Sequence, residues 1–109
     1  MTGVELRIAV TEEDHHRGPL NAPIMLVEYG DFECPYCGAA YRPIEKFIEA
    51  QQDNVCFVFR NFPLANVHPY AAIAALAAEA AGMQNKYWEM HHMIYENQSL
   101  LSEIGRAHV

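Results

Sequence analysis

The chain has 109 residues, of which 51% are hydrophobic and 19% are charged. This composition is typical of one small globular domain: the chain is too short for two domains and too apolar for a disordered segment. Its formal net charge of −7 disfavours nucleic acid and anionic lipid as partners, because like charges repel one another. The charge does not disfavour a protein substrate.

The cellular location is predicted from what the sequence lacks. No run of 18 apolar residues predicts a transmembrane helix. Residues 1–7 do not contain the basic segment, followed by an apolar one, that is typical of a secretory signal. We therefore expect a cytoplasmic protein, with a periplasmic or other extracytoplasmic location as the alternative if Met1 is not the native start.

The first half of the chain is predicted to contain a strand, a helix and a second strand. An edge strand is predicted at 4–10 and a polar loop at 12–23. A buried strand at 24–29, a helix at 35–51 and a second buried strand at 55–60 are expected to follow. Pro35 suits the first position of the helix, because its missing N–H has no partner within the helix, and Pro43 is expected to kink it. The region from about 24 to 60 therefore predicts a βαβ unit with parallel strands.

The second half is predicted to be a helical insertion, at about 68–102. One helix is expected to begin near Pro69, to run through the alanine-rich segment 71–81 and to end with Gly82 just beyond its last turn. Its predicted buried stripe consists of Ile73, Leu76, Ala77 and Ala80. A further helix is expected at 85–97, with Tyr87, Met90, His91 and Ile94 on one side.

The motif that carries chemistry is the Cys-Pro-Tyr-Cys run from Cys34 to Cys37, at the start of the first predicted helix. Free N–H groups and the helix dipole favour an anion at that place, so the thiolate of Cys34 is expected to be stabilised. Cys37 lies on the apolar stripe and is expected to be more buried. This asymmetry predicts that Cys34 attacks a partner disulfide and that Cys37 resolves the mixed disulfide.

The cysteines have two other interpretations. The first is a zinc site, which requires a second pair of ligands at similar spacing, whereas Cys56 stands alone and His91 and His92 are adjacent in sequence. No metal and no cofactor are therefore predicted. The second interpretation is a pair of inert buried cysteines.

Several residues around the motif are candidates for a supporting role. Glu28, on the first apolar strand, is either a buried carboxyl group that accepts the proton of Cys37 or a glutamate at the strand end that reaches solvent. Pro35 and Tyr36, between the cysteines, are expected to tune the redox pair. The remaining candidates are expected to be structural or solvated: Asp31 and Glu33 in a solvated loop, Cys56 as a buried apolar residue, and the six histidines.

These motifs resemble the DsbA-like members of the thioredoxin superfamily, and in particular the thioredoxin-like domains found alone or fused to sodium/proton antiporters. The resemblance rests on residues 18–24, 27–37, 61–64, 68–71 and 86–91. It implies an α/β thioredoxin-like fold with a helical insertion, and thiol-disulfide oxidoreductase activity on protein substrates together with a redox partner protein. By the same resemblance, Cys34 is the nucleophile, Cys37 is the resolving thiol and Glu28 is the family's buried acid. Two alternatives are a redox-sensing regulatory domain of a membrane transporter and a glutaredoxin-like, glutathione-dependent enzyme.

The sequence departs from the family in its last third. The family has a cis-proline loop that faces the redox pair, followed by two more strands, but no proline follows Pro69 here. We therefore expect residues 1–102 to be the N-terminal part of one incomplete thioredoxin-like domain that is marginally stable or self-associates. Residues 103–109 are expected to be a non-native tail, because they match the translation of a sequencing adapter.

Overall fold

The computed structural model describes residues 8–101, which form a three-stranded mixed sheet and three α-helices. In chain order the elements are β1 His16–Arg17, β2 Ile24–Gly30, α1 Pro35–Gln51, β3 Val55–Asn61, α2 Ala71–Gly82 and α3 Tyr87–Glu96. Short 3-10 turns at Gln52–Asn54 and Gln98–Leu100 follow α1 and α3. Within this described range, no helix is both long and apolar enough to cross a membrane.

The predicted βαβ unit is confirmed. The strand order is β1-β3-β2, and β2 runs parallel to β3 with Ile24 opposite Val55 and Gly30 opposite Asn61. The helix α1 connects the two strands and has the predicted bounds. A short turn connects the end of β2 to the start of α1, and the Cys-Pro-Tyr-Cys motif lies at this start.

The two long strands differ in burial. All residues of β3 from Val55 to Phe59 are at most 1% exposed, because β3 lies between β1 and β2. In β2, Ile24 and Met25 are 37% and 40% exposed. The prediction of a buried strand is therefore wrong for the first half of β2, which lies at one edge of the described sheet.

The predicted stripe of α2 is also wrong. Ile73 and Leu76 are 50% and 69% exposed, whereas the core-facing residues are four alanines: Ala71, Ala74, Ala78 and Ala81. The buried face of α2 therefore consists of small side chains, and the larger apolar side chains lie on its exposed face. Gly82 lies inside the helix, and in the turn that follows the helix it is Asn85 that has a positive φ, of 61°.

The core is an aromatic cluster between the sheet and the helices α1 and α3. The side chain of His91 is 1% exposed at its centre. The surrounding aromatic residues are Phe32, Tyr41, Phe57, Phe59, Tyr87, Trp88 and Tyr95. Through this cluster, α3 packs against α1 and β3 with the side that was predicted to be apolar.

The N-terminal predictions have a mixed outcome. Of the predicted edge strand at 4–10, residues 8–10 are not in a strand, and 4–7 lie outside the described residues. The segment 12–23, predicted to be a loop, contains β1, which pairs antiparallel with β3 through His16 and Val58. The predicted tail at 103–109 also lies outside the described residues.

Candidate redox site

The two motif cysteines lie at the start of α1. Cys34 is the N-cap residue with extended backbone (φ −68°, ψ 123°), and Pro35 is the first helical residue. The carbonyl of Cys34 accepts the first helical hydrogen bond from the N–H of Gly38 at 3.0 Å. Tyr36 is 86% exposed, so it is available to a partner that approaches Cys34. This geometry places Cys34 where the N–H groups of the first helical turn favour an anion.

Cys37 lies one turn further along α1 and packs against the core. Burial raises the pKa of the Cys37 thiol above its ordinary value, and neighbouring Cys34 and Glu28 raise it further because a second negative charge close by is unfavourable. Both cysteines are half-buried free thiols. The two thiols are therefore near enough for the charge of one to act on the pKa of the other.

Glu28 lies on β2 opposite Phe59 and is half-buried. Burial raises the pKa of its carboxyl group to about 7, and the charge of Glu45 adds to this effect. Its negative charge also raises the pKa of Cys37. Glu28 therefore lies near enough to Cys37 for its charge to act on the thiol.

The residues just before the motif form a turn that is more buried than predicted. We call residues 31–34 the redox turn. Asp31 is 4% exposed, so the prediction of a solvated loop residue is wrong for it. Its carboxylate accepts hydrogen bonds from the N–H of Glu33 at 2.8 Å, the N–H of Leu64 at 2.9 Å and Nδ1 of His68 at 2.7 Å. Burial by itself raises the pKa of Asp31, but the hydrogen bonds outweigh it, so the pKa is lowered.

Two further side chains connect the redox turn to distant segments. The Oε1 of Glu33 accepts a hydrogen bond from the N–H of Tyr70 at 2.8 Å, just before α2. Nε2 of Gln98 donates to the carbonyl oxygens of Phe32 at 2.9 Å and Cys34 at 2.8 Å. Neither Gln98 nor His68 was predicted at this site. Gln98 is 64 residues from Cys34 and His68 is 37 residues from Asp31, and contacts over such separations produce no local sequence pattern.

One group of side chains has ligand types that could hold a metal ion. Ligand atoms of Glu45, His91 and His92 lie within 4.8 Å of one another. However, Glu45 already accepts a hydrogen bond from Arg17 at 2.8 Å, and Nδ1 of His92 pairs with the hydroxyl of Tyr41 at 2.7 Å. The guanidinium group opposes a second cation beside Glu45, so these residues do not favour a metal site.

Cys56 lies away from this site. It is fully buried in β3, as predicted for a cysteine that serves as a small apolar residue. Burial raises the pKa of its thiol. Burial therefore disfavours the thiolate of Cys56, the form that a nucleophilic cysteine needs.

Comparison with known proteins identifies the class to which this fold and site belong. The sequence profile of a thioredoxin family matches residues 10–104, so the chain belongs to the thioredoxin family. The structure of a thioredoxin-like oxidoreductase from Silicibacter pomeroyi superposes with a TM-score of 0.70 at 27% identity, covering 89% of this chain and 57% of that one. For α-DsbA1 from Wolbachia pipientis the TM-score is 0.68 at 24% identity, covering 90% and 53%, which shows the shared fold. The DsbA-like thioredoxin fold with a helical insertion is thereby confirmed.

The sequence is also similar to one part of a membrane transporter. The chain is 48% identical, over 99 residues, to the Na(+)/H(+) antiporter NhaA 1 of Salinispora arenicola. The match covers 90% of this chain but 15% of the antiporter. The chain also spans only about half the length of the two solved oxidoreductases.

Proposed function

We propose that this chain is a thiol-disulfide oxidoreductase that exchanges disulfides with protein substrates through Cys34 and Cys37. The observation that carries the proposal is the position of Cys34 and Cys37 at the start of α1, with the half-buried carboxyl group of Glu28 near enough for its charge to act on Cys37. Family membership supports it, because the matched profile is that of thioredoxin.

The proposed reaction begins at Cys34. Its thiolate attacks one sulfur of a substrate disulfide, forms a mixed disulfide and releases the other substrate sulfur as a thiolate. The thiol of Cys37 then loses its proton to the carboxylate of Glu28 and attacks the sulfur of Cys34. The Cys34–Cys37 disulfide forms, and the second substrate sulfur leaves as a thiolate. The same steps in reverse transfer the disulfide to a substrate, and a redox partner protein resets the pair.

The roles of the two cysteines are tested by separate substitutions. Cys34→Ser is expected to abolish exchange with a protein disulfide such as that of insulin, because the attacking sulfur is lost. Cys37→Ser is expected to accumulate the mixed disulfide, because no resolving thiol remains; mass spectrometry under non-reducing conditions detects it. Exchange retained by Cys34→Ser would contradict the proposal, and Cys56→Ala, which keeps the buried position apolar, is the matched control that keeps wild-type activity.

The role of Glu28 is tested by the rate of resolution. Glu28→Gln keeps the shape of the side chain but removes the proton acceptor, and a positioned acid or base typically contributes about 100-fold or more. We expect slower release of the mixed disulfide and loss of the rate dependence centred near pH 7, measured by stopped-flow with a fluorescent disulfide. Glu49→Gln, an exposed glutamate on α1, is the control. Unchanged resolution in Glu28→Gln would leave Glu28 with a structural role.

A cytoplasmic location is part of the proposal and is tested by the reduction potential. A value near that of thioredoxin, roughly −270 mV, supports a cytoplasmic reductant. A value near that of DsbA, roughly −120 mV, would contradict this location and would favour an extracytoplasmic oxidant.

A second candidate function is a redox-responsive domain of a Na(+)/H(+) antiporter. The 48% identity to part of such an antiporter favours it. In a protein in which this domain is joined to the antiporter, the Cys34→Ser variant would lose any response of Na(+)/H(+) exchange to dithiothreitol in membrane vesicles. Equal transport with and without dithiothreitol in the parent protein would contradict this function.

A further inference from the structure

The carbonyl groups of the redox turn are bound by a side chain from beyond α3. Nε2 of Gln98 donates to the carbonyls of both Phe32 and Cys34, at 2.9 and 2.8 Å. We propose that Gln98 is a positioning residue, which fixes the redox turn and thereby sets the redox equilibrium of the Cys34–Cys37 pair. This inference rests on the proposed function.

The backbone after α3 aims Gln98 at the turn. The C-cap residue of α3 is Asn97, whose N–H donates to the carbonyls of Met93 and Ile94. Gln98 then begins a 3-10 turn, and the next residue after that turn, Leu101, is 7% exposed in the core. The ends of this short segment are thus fixed, so the position of the Gln98 carboxamide is determined by packing at a distance from the cysteines.

The helix α1 is shaped to receive this carboxamide. A Cβ atom built on Gly38 would overlap the side-chain amide of Gln98. The N–H of Gly38 bonds to the same Cys34 carbonyl that Gln98 approaches. The lack of a side chain at position 38 therefore lets Gln98 reach the first turn of the redox helix.

Tyr95 adds a third contact from α3 to the redox turn. Its hydroxyl donates to the carbonyl of Asp31 at 3.4 Å, a longer and weaker bond than those of Gln98. Gln98 is therefore the stronger donor in this connection. Its two short bonds hold the carbonyls on either side of Glu33 in fixed directions.

Loss of these bonds has a defined consequence for the redox pair. Cys34 lies at the N-cap of α1, a position where a helix favours negative charge, and a loosened turn fixes Cys34 less firmly at this position. The reduced state loses this stabilisation, whereas the disulfide carries no negative charge there. The equilibrium is therefore expected to move toward the disulfide.

The test is the redox equilibrium with glutathione, measured for the full 109-residue chain. Gln98→Ala is expected to shift the equilibrium constant about threefold to tenfold toward the disulfide, the range that one or two net hydrogen bonds provide. Gln98→Glu is expected to shift it further, because a carboxylate then faces two carbonyl oxygens. The matched control is Gln84→Glu, the same change at an exposed residue, which leaves the equilibrium as in the wild type.

A second variant separates positioning from stability. Gly38→Ala is expected to displace the flexible Gln98 carboxamide while favouring helix formation, since alanine is the better helix former. It should therefore shift the redox equilibrium in the same direction as Gln98→Ala without lowering the thermal midpoint. The double variant Gly38→Ala/Gln98→Ala is expected to show no additional shift, because both changes remove the same contact.

The two proposals fail in different ways. An unchanged equilibrium constant in both Gln98→Ala and Gly38→Ala, with exchange intact, would overturn the positioning role and leave the proposed function standing. A wild-type chain whose Cys34 and Cys37 do not exchange with glutathione would contradict the proposed function itself.

Discussion

Two regions of this protein bury a polar side chain almost completely, but only one of them provides it with hydrogen-bond partners. In the redox turn, Asp31 is 4% exposed and its carboxylate accepts three hydrogen bonds. In the aromatic core, His91 is 1% exposed, and neither of its ring nitrogens has a hydrogen-bond partner among the described residues.

The pKa values follow from this difference. The hydrogen bonds lower the pKa of Asp31 despite its burial, so the carboxylate stays charged. Burial lowers the pKa of His91 to about 3, with the nearby charges of His92 and Arg17 adding to the effect, so the imidazole stays neutral. Burial alone therefore does not determine the charge of a side chain; the hydrogen-bond partners decide it.

The largest expected effect is that of removing the Asp31 carboxylate. Asp31→Ala leaves the N–H of Leu64 and the ring of His68 without their acceptor inside the protein. We expect a loss of about 2–4 kcal/mol in the free energy of unfolding, because several buried donors become unsatisfied. Urea denaturation measures it, with the exposed Asp53→Ala as control; a loss below that of the control would contradict the importance of this network.

The second prediction concerns the unpaired imidazole of His91. The unfolded state takes up a proton near pH 6.5, whereas the folded state does so only near pH 3. The contribution of His91 to stability is therefore present above pH 6.5 and falls by about 1.4 kcal/mol per pH unit below it. His91→Phe is expected to gain about 2 kcal/mol relative to the wild type between about pH 7 and pH 5. Parallel pH profiles of the two proteins would show that His91 can be protonated in the folded state.

Glu28 provides the opposite pH dependence. Its pKa is raised from 4.5 to about 7 in the folded state, so its contribution to stability is present below pH 4.5 and is lost as the pH rises to about 7. Glu28→Gln is expected to stabilise the chain by about 1–2 kcal/mol at about pH 8, after allowance for solvent screening of this half-buried group. Thermal unfolding at about pH 5 and pH 8 tests the sign: a gain that is the same at both values would exclude a raised pKa.

The smallest effect on the free energy of unfolding is expected for an ion pair that is exposed to solvent. Arg42 and Glu96 form an ion pair at 2.6 Å, with side chains that are 72% and 41% exposed. Arg42→Ala is expected to change the free energy of unfolding by about 0.5 kcal/mol or less, because water screens the pair. A loss above about 1 kcal/mol in urea denaturation would mean that the pair is more strongly coupled to the fold than its exposure indicates.

The two faces of α2 show what local sequence patterns miss. The prediction placed the larger apolar residues Ile73 and Leu76 in the core, because burying them removes more apolar surface from water. In the folded chain Ala74 and Ala78 face the core instead, and they are 4% and 0% exposed. Which face of a helix is buried depends on the neighbouring elements as well as on the size of the helix's own side chains.

The βαβ unit, the bounds of α1 and the position of the Cys-Pro-Tyr-Cys motif could all be predicted from the amino-acid sequence, because they depend on periodicity and on residues adjacent in the chain. Glu28 could be recognised as a candidate in the same way, since the strand that carries it leads directly into the motif. The burial of Asp31, its pairing with His68 and the binding of Gln98 to the redox turn emerged only in the folded chain. These contacts join segments that are far apart in sequence, and they form only when α3 and the loop before α2 pack against the start of α1.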